Sequence, residues 1–262
     1  MEWFEALLLG IIQGLTEFLP ISSSGHLELA NILFGIEKEG HLSFTVIVHG
    51  ATVLSTIFIF WKEIASLFQG LFQFKYNDDT IYVLKLLLSM IPVAFVGLFL
   101  EDVIEKAFEG NIVFIGCMLL VTGTLLALTY YAKAKDKTIT YKHAFIIGIS
   151  QAFSVLPGIS RSGATISTGL LLGNKKDKIT QFSFLMVLIP VIGANVKTII
   201  SQGREEGLDV FQIPVLLGFL AAFITGLIAC KWMIRIVRKG KIIYFSIYCF
   251  IAGLLAVLFG VC

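Results

Sequence analysis

Apolar residues fall in long blocks along this chain. Segments 44–61, 81–100, 112–131, 182–200, 212–232 and 243–261 are nearly free of charge. Each is close to the roughly 20 residues that a helix needs to cross a bilayer. Two further apolar regions are interrupted. Region 3–34 is broken by Pro20 and the run Ser22-Ser23-Ser24-Gly25, and region 144–173 by Pro157-Gly158 and Ser160-Arg161-Ser162-Gly163. Pro and Ser/Gly clusters end one helix and cap the next. Each half is too short to span alone. At membrane depth, broken backbone is tolerated only where protein or a water-filled cavity covers it. The pattern predicts an all-α polytopic membrane protein. It has six transmembrane helices plus two re-entrant helix–loop–helix hairpins, each entering and leaving on one side.

Composition agrees. Of 262 residues, 57% are hydrophobic and 15% charged, against roughly 45–50% and about 25% in soluble domains. This excludes a soluble globular enzyme, a disordered chain and a secreted disulfide scaffold. A formal charge of +2 lacks the basic face that a nucleic-acid partner requires. Cys117, Cys230, Cys249 and Cys262 lie in or at the ends of apolar blocks with no close pair, so they are expected to pack rather than bridge or bind metal. Met1 is followed by Glu2 and Glu5 rather than a basic segment. No signal peptide is expected, and the first apolar stretch belongs to the fold.

Charge sets the sidedness. With the first hairpin outside and the six spans alternating, Lys62, Lys75, Lys85, Lys133, Lys135, Lys137, Lys142, Lys175, Lys176, Lys178, Lys231, Arg235, Arg238, Lys239 and Lys241 fall inside. The outer loops keep only Lys38, Lys106 and Arg204, with Glu101, Asp102, Glu105 and Glu109 in loop 101–109. That is the asymmetry of the positive-inside rule. Both flanks of region 144–173 are Lys-rich, so that region starts and ends inside.

The two broken regions resemble each other. A shift of 138 places Gly10-Ile11-x-Gln13 on Gly148-Ile149-x-Gln151, and Ile21-Ser22-x-Ser24-Gly25 on Ile159-Ser160-x-Ser162-Gly163. Gly35 with Gly173 and Phe44 with Phe182 continue the match. The chain is thus one membrane domain of two repeats, about 1–131 and 143–262. Each is a hairpin followed by three spans. Three is odd, so the second repeat is inverted and the hairpin tips are expected to meet near the midplane, as in transporter folds.

The repeats differ where chemistry is expected. Glu17 stands opposite Val155, Ser23 opposite Arg161, and His26 opposite Ala164. Ionisable groups in an apolar interior are costly and mark function. Gln13 and Glu17 share a helix face; Glu17 is a candidate general base or metal ligand. Ser23 is a candidate nucleophile if Glu17 is within reach, while capping accounts for at least one of Ser22, Ser23 and Ser24. His26 lies in the next turn. Arg161 opens a half-helix read over 163–173. A helix N-terminus and an Arg fork both suit phosphate. Ser160, Ser162, Gly163 and Thr165 would line that anion site together with Gln13, Ser22 and Ser24. Pairing of Arg161 with Glu17 across the repeats is the structural alternative, and a substrate could replace that pair. His49, Lys85, Asn195 and Lys197 are also polar residues in spans; each alone is a weak signal, and they are left out of the catalytic set.

At these residues the chain resembles the undecaprenyl-diphosphate phosphatase, or bacitracin-resistance, family. Gln13-Gly14-Leu15-Thr16-Glu17 and Pro20-Ile21-Ser22-Ser23-Ser24-Gly25-His26 match its first motif; Pro157-Gly158-Ile159-Ser160-Arg161-Ser162-Gly163-Ala164-Thr165 matches its second. Some members carry Glu where this chain has Gln13, so a role needing charge there does not carry over. The resemblance implies hydrolysis of a C55 polyprenyl diphosphate to the monophosphate, which recycles the carrier of cell-wall precursors. It also implies a divalent cation (Mg²⁺ or Ca²⁺), held by Glu17 with Gln13 on this reading. It places the protein in the plasma membrane with its site open to the outer face. Partners are then the lipid substrate and the bilayer, and a homodimer is left open. The nucleophile stays open between Ser23, His26 and water. Two other classes are weighed. An inverted-repeat transporter or flippase would move a lipid or anion without chemistry. A phosphatidic-acid-phosphatase-like enzyme, suggested by Ser24-Gly25-His26, needs a further His after its Ser-Arg motif, and none follows His143.

Overall fold

The computed structural model describes residues 2–35, 41–100, 104, 111–132, 136–202 and 212–261. Glu101, Asp102, Glu105, Glu109, Lys38, Lys106, Lys133, Lys135, Arg204 and Cys262 lie outside the described residues. Twelve α-helices follow in order among those described: α1 (Trp3–Phe18), α2 (Ser23–Phe34), α3 (His41–Ile59), α4 (Trp61–Leu71), α5 (Asp78–Phe99), α6 (Ile112–Leu128), α7 (Tyr141–Phe153), α8 (Arg161–Leu171), α9 (Lys176–Met186), α10 (Leu188–Gln202), α11 (Ile213–Arg238) and α12 (Ile243–Val261). A short 3₁₀ turn, Thr129–Tyr131, ends α6.

Five segments are long and apolar enough to cross a membrane: Asp78–Phe99, Ile112–Tyr131, Lys176–Lys197, Ile213–Arg238 and Ile243–Val261. The bent pair α3–α4 makes a sixth if taken together. Their outer faces are greasy. On α5, Leu84, Leu87, Ile91, Phe95 and Leu98 recur at helical spacing and are all exposed; α11 repeats the pattern with Ile213, Leu216, Leu220, Ile224 and Ile228. Soluble monomers do not carry apolar stripes of that extent. The chain is a multi-pass membrane protein.

Small residues let the helices close on one another. A Cβ on Gly10 of α1 would lie 2.3 Å from the Gly218 carbonyl oxygen of α11, and one on Gly148 of α7 would lie 2.3 Å from that of Ser89 on α5. A Cβ on Gly116 of α6 would lie 2.8 Å from the Gly253 carbonyl oxygen of α12. The larger side chains Phe182, Met186, Ile147 and Met233 fill the core behind the broken helices.

Both interrupted regions are helix pairs. α1 ends at Leu19-Pro20 and α2 restarts at Ser23, capped by Ser22, whose Oγ accepts from the Gly25 amide at 3.3 Å. α7 ends at Phe153 and α8 restarts at Arg161, capped by Ser160, whose Oγ accepts from the Gly163 amide at 3.1 Å. α8 therefore begins two residues before Gly163, where the sequence reading started it, because Ser160 does the capping. The far ends of the α7–α8 pair are tied together. The Lys137 amide donates to the Gly173 carbonyl at 3.0 Å, and the Lys175 amide to the Lys137 carbonyl at 3.2 Å.

Three boundaries differ from the sequence reading. The span read as 44–61 ends at Ile59, and Trp61–Leu71, unassigned beyond Trp61, is α4, turned 75° from α3. A 20-residue window overlooks so short an amphipathic helix: Ile64 and Leu67 pack on the core, while Lys62 and Glu63 face out. The span read as 182–200 starts at Lys176, and that read as 212–232 runs to Arg238. Lys and Arg at helix ends snorkel, so charge is a poor marker of where a spanning helix stops.

Candidate active site

The loops of the two helix pairs touch. The Gly158 amide donates to Ser22 Oγ at 3.2 Å, and Ser162 Oγ donates to the Leu19 carbonyl at 3.2 Å. Two unusual backbones make the contact. Ser22 has φ +70°, rare for a non-glycine residue, and Gly158 has φ +93°. A Cβ at Gly158 would lie 2.6 Å from the Ile115 carbonyl oxygen, so only glycine fits. From α6, Thr122 Oγ1 donates to the Gly158 carbonyl and accepts from the Ser160 amide, both at 3.0 Å.

Glu17 sits at this junction with its side chain 10% exposed. Its Oε1 is ion-paired with Arg161 Nη2 from the other pair. Its Oε2 accepts from Ser23 Oγ at 2.6 Å and from Gln13 Nε2 at 3.1 Å. His49 Nε2 of α3 lies 3.8 Å from the same oxygen. A lone buried carboxylate is costly; here a cation and two donors surround it. The short Ser23 bond is the geometry of a hydroxyl with its base.

A narrow cleft, with room for about one water, lies beside this group. Glu17, Arg161, Thr52 and Thr56 line it together with apolar side chains that include Phe18 and Phe184. Charged groups beside apolar walls are a lining that suits an anionic head on a hydrocarbon tail.

The remaining sequence candidates fall elsewhere. Ser22, Ser160, Ser162 and Thr165 are each at most 3% exposed and their hydroxyls are occupied. Ser22 and Ser160 cap helices, Ser162 holds the first loop, and Thr165 Oγ1 meets Ser183 Oγ at 2.6 Å. Gly163 donates to its cap and the Ala164 amide to the Ser160 carbonyl. For an anion at this helix end, that leaves the Arg161 and Ser162 amides among the described residues. Ser24 is exposed and lies 3.4 Å from Ser22 Oγ. His26 does not touch Glu17. Its Nδ1 meets the Ser22 carbonyl and its Nε2 the Tyr248 hydroxyl, each at 2.7 Å.

His49, Thr52 and Thr56 were outside the expected set. Their spacing on α3 is a signal that could have found them, since three polar residues recur at helical intervals inside an apolar span. Tyr248 gave no such signal.

Comparison with known proteins places these residues in context. The profile of bacitracin resistance protein BacA matches residues 6–255. The undecaprenyl-diphosphatase of Parabacteroides distasonis is 54% identical over 260 residues, covering 98% of both chains. That of Christiangramia forsetii is 51% identical, covering 99% of both, and that of Methanococcus vannielii is 42% identical, covering 97% of this chain and 99% of its own. A match of this length through both loop motifs leaves one conclusion: the chain belongs to the bacitracin resistance protein BacA family.

Proposed function

We propose that this protein hydrolyses undecaprenyl diphosphate to the monophosphate and inorganic phosphate, recycling a lipid carrier for cell-wall synthesis. The observation that carries the reading is the Ser23–Glu17–Arg161 cluster, bonded across the two helix pairs and lining a narrow cleft with apolar walls. Relatives named for that activity match over nearly the whole chain.

Phosphoryl transfer needs positioning and charge stabilisation. The terminal phosphoryl takes the Arg161 fork away from Glu17, assisted by the α8 amides. Glu17 Oε2, relieved of Arg161 at its other oxygen, accepts the Ser23 proton. Ser23 Oγ bonds to the terminal phosphorus as the bond to the bridging oxygen breaks, and the lipid monophosphate leaves with that electron pair. Water then attacks the phosphoserine. His26 takes a proton from that water, Glu17 returns one to Ser23 Oγ, and phosphate departs.

The residues fit a divalent cation, Mg²⁺ or Ca²⁺, shared with the substrate. Gln13 Oε1 is buried without a partner, on the amide that donates to Glu17. One carboxylate and one amide oxygen suit Mg²⁺ when phosphate oxygens and waters complete its shell. Among the described residues no three His, Cys, Asp or Glu cluster to hold an ion alone. Gln13 and Glu17 would hold it, and it would neutralise charge on the diphosphate.

We read α1–α2 and α7–α8 as re-entrant hairpins of an inverted repeat in one membrane domain, with six spans in the plasma membrane and the site open to the outer face. Reciprocal packing supports this. α1 lies on α11, the second span of the other repeat; α7 lies on α5, the second span of the first; the third spans, α6 and α12, pack together. The tied ends of α7–α8 support a hairpin rather than a span. Single cysteines at Lys137 and Lys176, on a cysteine-free background, should both resist an impermeant thiol reagent added outside intact cells. Labelling of one alone would show that 144–173 crosses the membrane.

The activity itself has a simple assay. Purified protein should release one phosphate per undecaprenyl diphosphate. Lipid moved between leaflets with no phosphate released would favour a transporter instead.

A further inference from the structure

His26 is held at both ring nitrogens. The Ser22 carbonyl beside Nδ1 can only accept, so Nδ1 carries a hydrogen. In the neutral ring Nε2 is then the bare nitrogen, and the hydroxyl of Tyr248 donates to it at 2.7 Å. The two rings also stack, with centroids 5.6 Å apart and 17° between planes. Tyr248 comes from α12, 222 positions along the chain. Its neighbour Cys249 anchors the same helix to the first loop, Sγ donating to the Pro20 carbonyl at 3.7 Å. A hydroxyl is both donor and acceptor. It can therefore hand its proton to neutral His26 Nε2 as it accepts one from a water, without moving the ring.

We infer that the Tyr248 hydroxyl is the relay through which the water proton reaches His26 Nε2. The stacked Tyr248 ring sets the imidazole plane, and its hydroxyl, together with the Ser22 carbonyl, selects the tautomer in which Nε2 is the basic nitrogen. α12 thus completes a site whose other groups lie on the two helix pairs and α3. The inference rests on the reading of His26 as the acceptor of the water proton.

The test uses purified full-length protein, undecaprenyl diphosphate and four variants: Tyr248→Phe, Tyr248→Leu, His26→Ala and the double variant His26→Ala/Tyr248→Phe. Tyr248→Phe keeps the ring and loses the hydroxyl. It should lower kcat about tenfold, the scale of one neutral hydrogen bond, with KM and Tm unchanged. Tyr248→Leu should fall further, towards the rate of His26→Ala. In the His26→Ala background, removing the hydroxyl should change kcat less than twofold, because residues that act as one unit are not additive. Three results would overturn the inference. Wild-type kcat in Tyr248→Phe beside an inactive His26→Ala removes Tyr248 and leaves the role of His26 standing. An equal loss from Tyr248→Phe in both backgrounds shows that the tyrosine acts without His26. Full activity in His26→Ala removes the histidine reading, and this inference with it.

Discussion

Arg161→Lys should lower kcat/KM by about 10³–10⁵, the range a phosphate-stabilising arginine contributes in phosphoryl transfer, while the protein still folds. Lysine keeps the positive charge near Glu17 but replaces a planar fork by a point charge. The fork is what the proposed clamp needs: one face pairs with Glu17 at rest and passes to the terminal phosphoryl when substrate enters. Arg161→Ala should be no more active than Lys. It should also be less stable, because breaking a buried pair costs about 3–5 kcal/mol and the Glu17 side chain is only 10% exposed. The two variants separate function from scaffold. If the arginine serves only to neutralise Glu17, Lys preserves activity and Ala alone fails, through unfolding. Rates of phosphate release and melting temperatures on both would decide.

Glu17→Gln should lose about 10²–10⁴ in kcat, the usual contribution of a positioned general base. Glutamine keeps the size and can still accept from Ser23, but it cannot take the proton. Gln13→Ala should be milder, because an amide is no base and its share in holding a cation is backed by Glu17 and the phosphate oxygens. The ratio between the two is the readout. Glu17→Gln with wild-type kcat would remove the carboxylate from the mechanism. Equal losses in both variants would instead point to the Gln13–Glu17 contact as the working feature.

Much of this site was legible because a membrane makes polar residues conspicuous. Glu17 and Arg161 stand out in apolar stretches, the shift of 138 sets the two loops against each other, and their pairing was an expected alternative. The hydroxyls were harder. Ser22, Ser160, Ser162 and Thr165 carry the same groups whether they bind phosphate or cap helices, and in the fold they hold the loops. Sequence also placed His26 beside Ser23 and Glu17 by spacing along the chain. In three dimensions its imidazole turns to Tyr248 on the last helix, a contact across 222 positions that no local pattern encodes. Conversely, His49 approaches Glu17 at 3.8 Å and looked like an isolated polar residue because its neighbour lies on another helix. Fold boundaries followed the same logic. Long apolar blocks became spanning helices, whereas α4 escaped a window sized to the bilayer, and α11 ran on past its apolar block through Arg235 and Arg238.

The most direct measurement is the initial rate of phosphate release from undecaprenyl diphosphate, per mole of folded protein, for the wild type beside Glu17→Gln and Arg161→Lys. The wild type should release phosphate stoichiometrically with lipid monophosphate. Both variants should remain folded and release almost none. No release by the wild type, or undiminished release by stable variants, would contradict hydrolysis at the junction of the two loops.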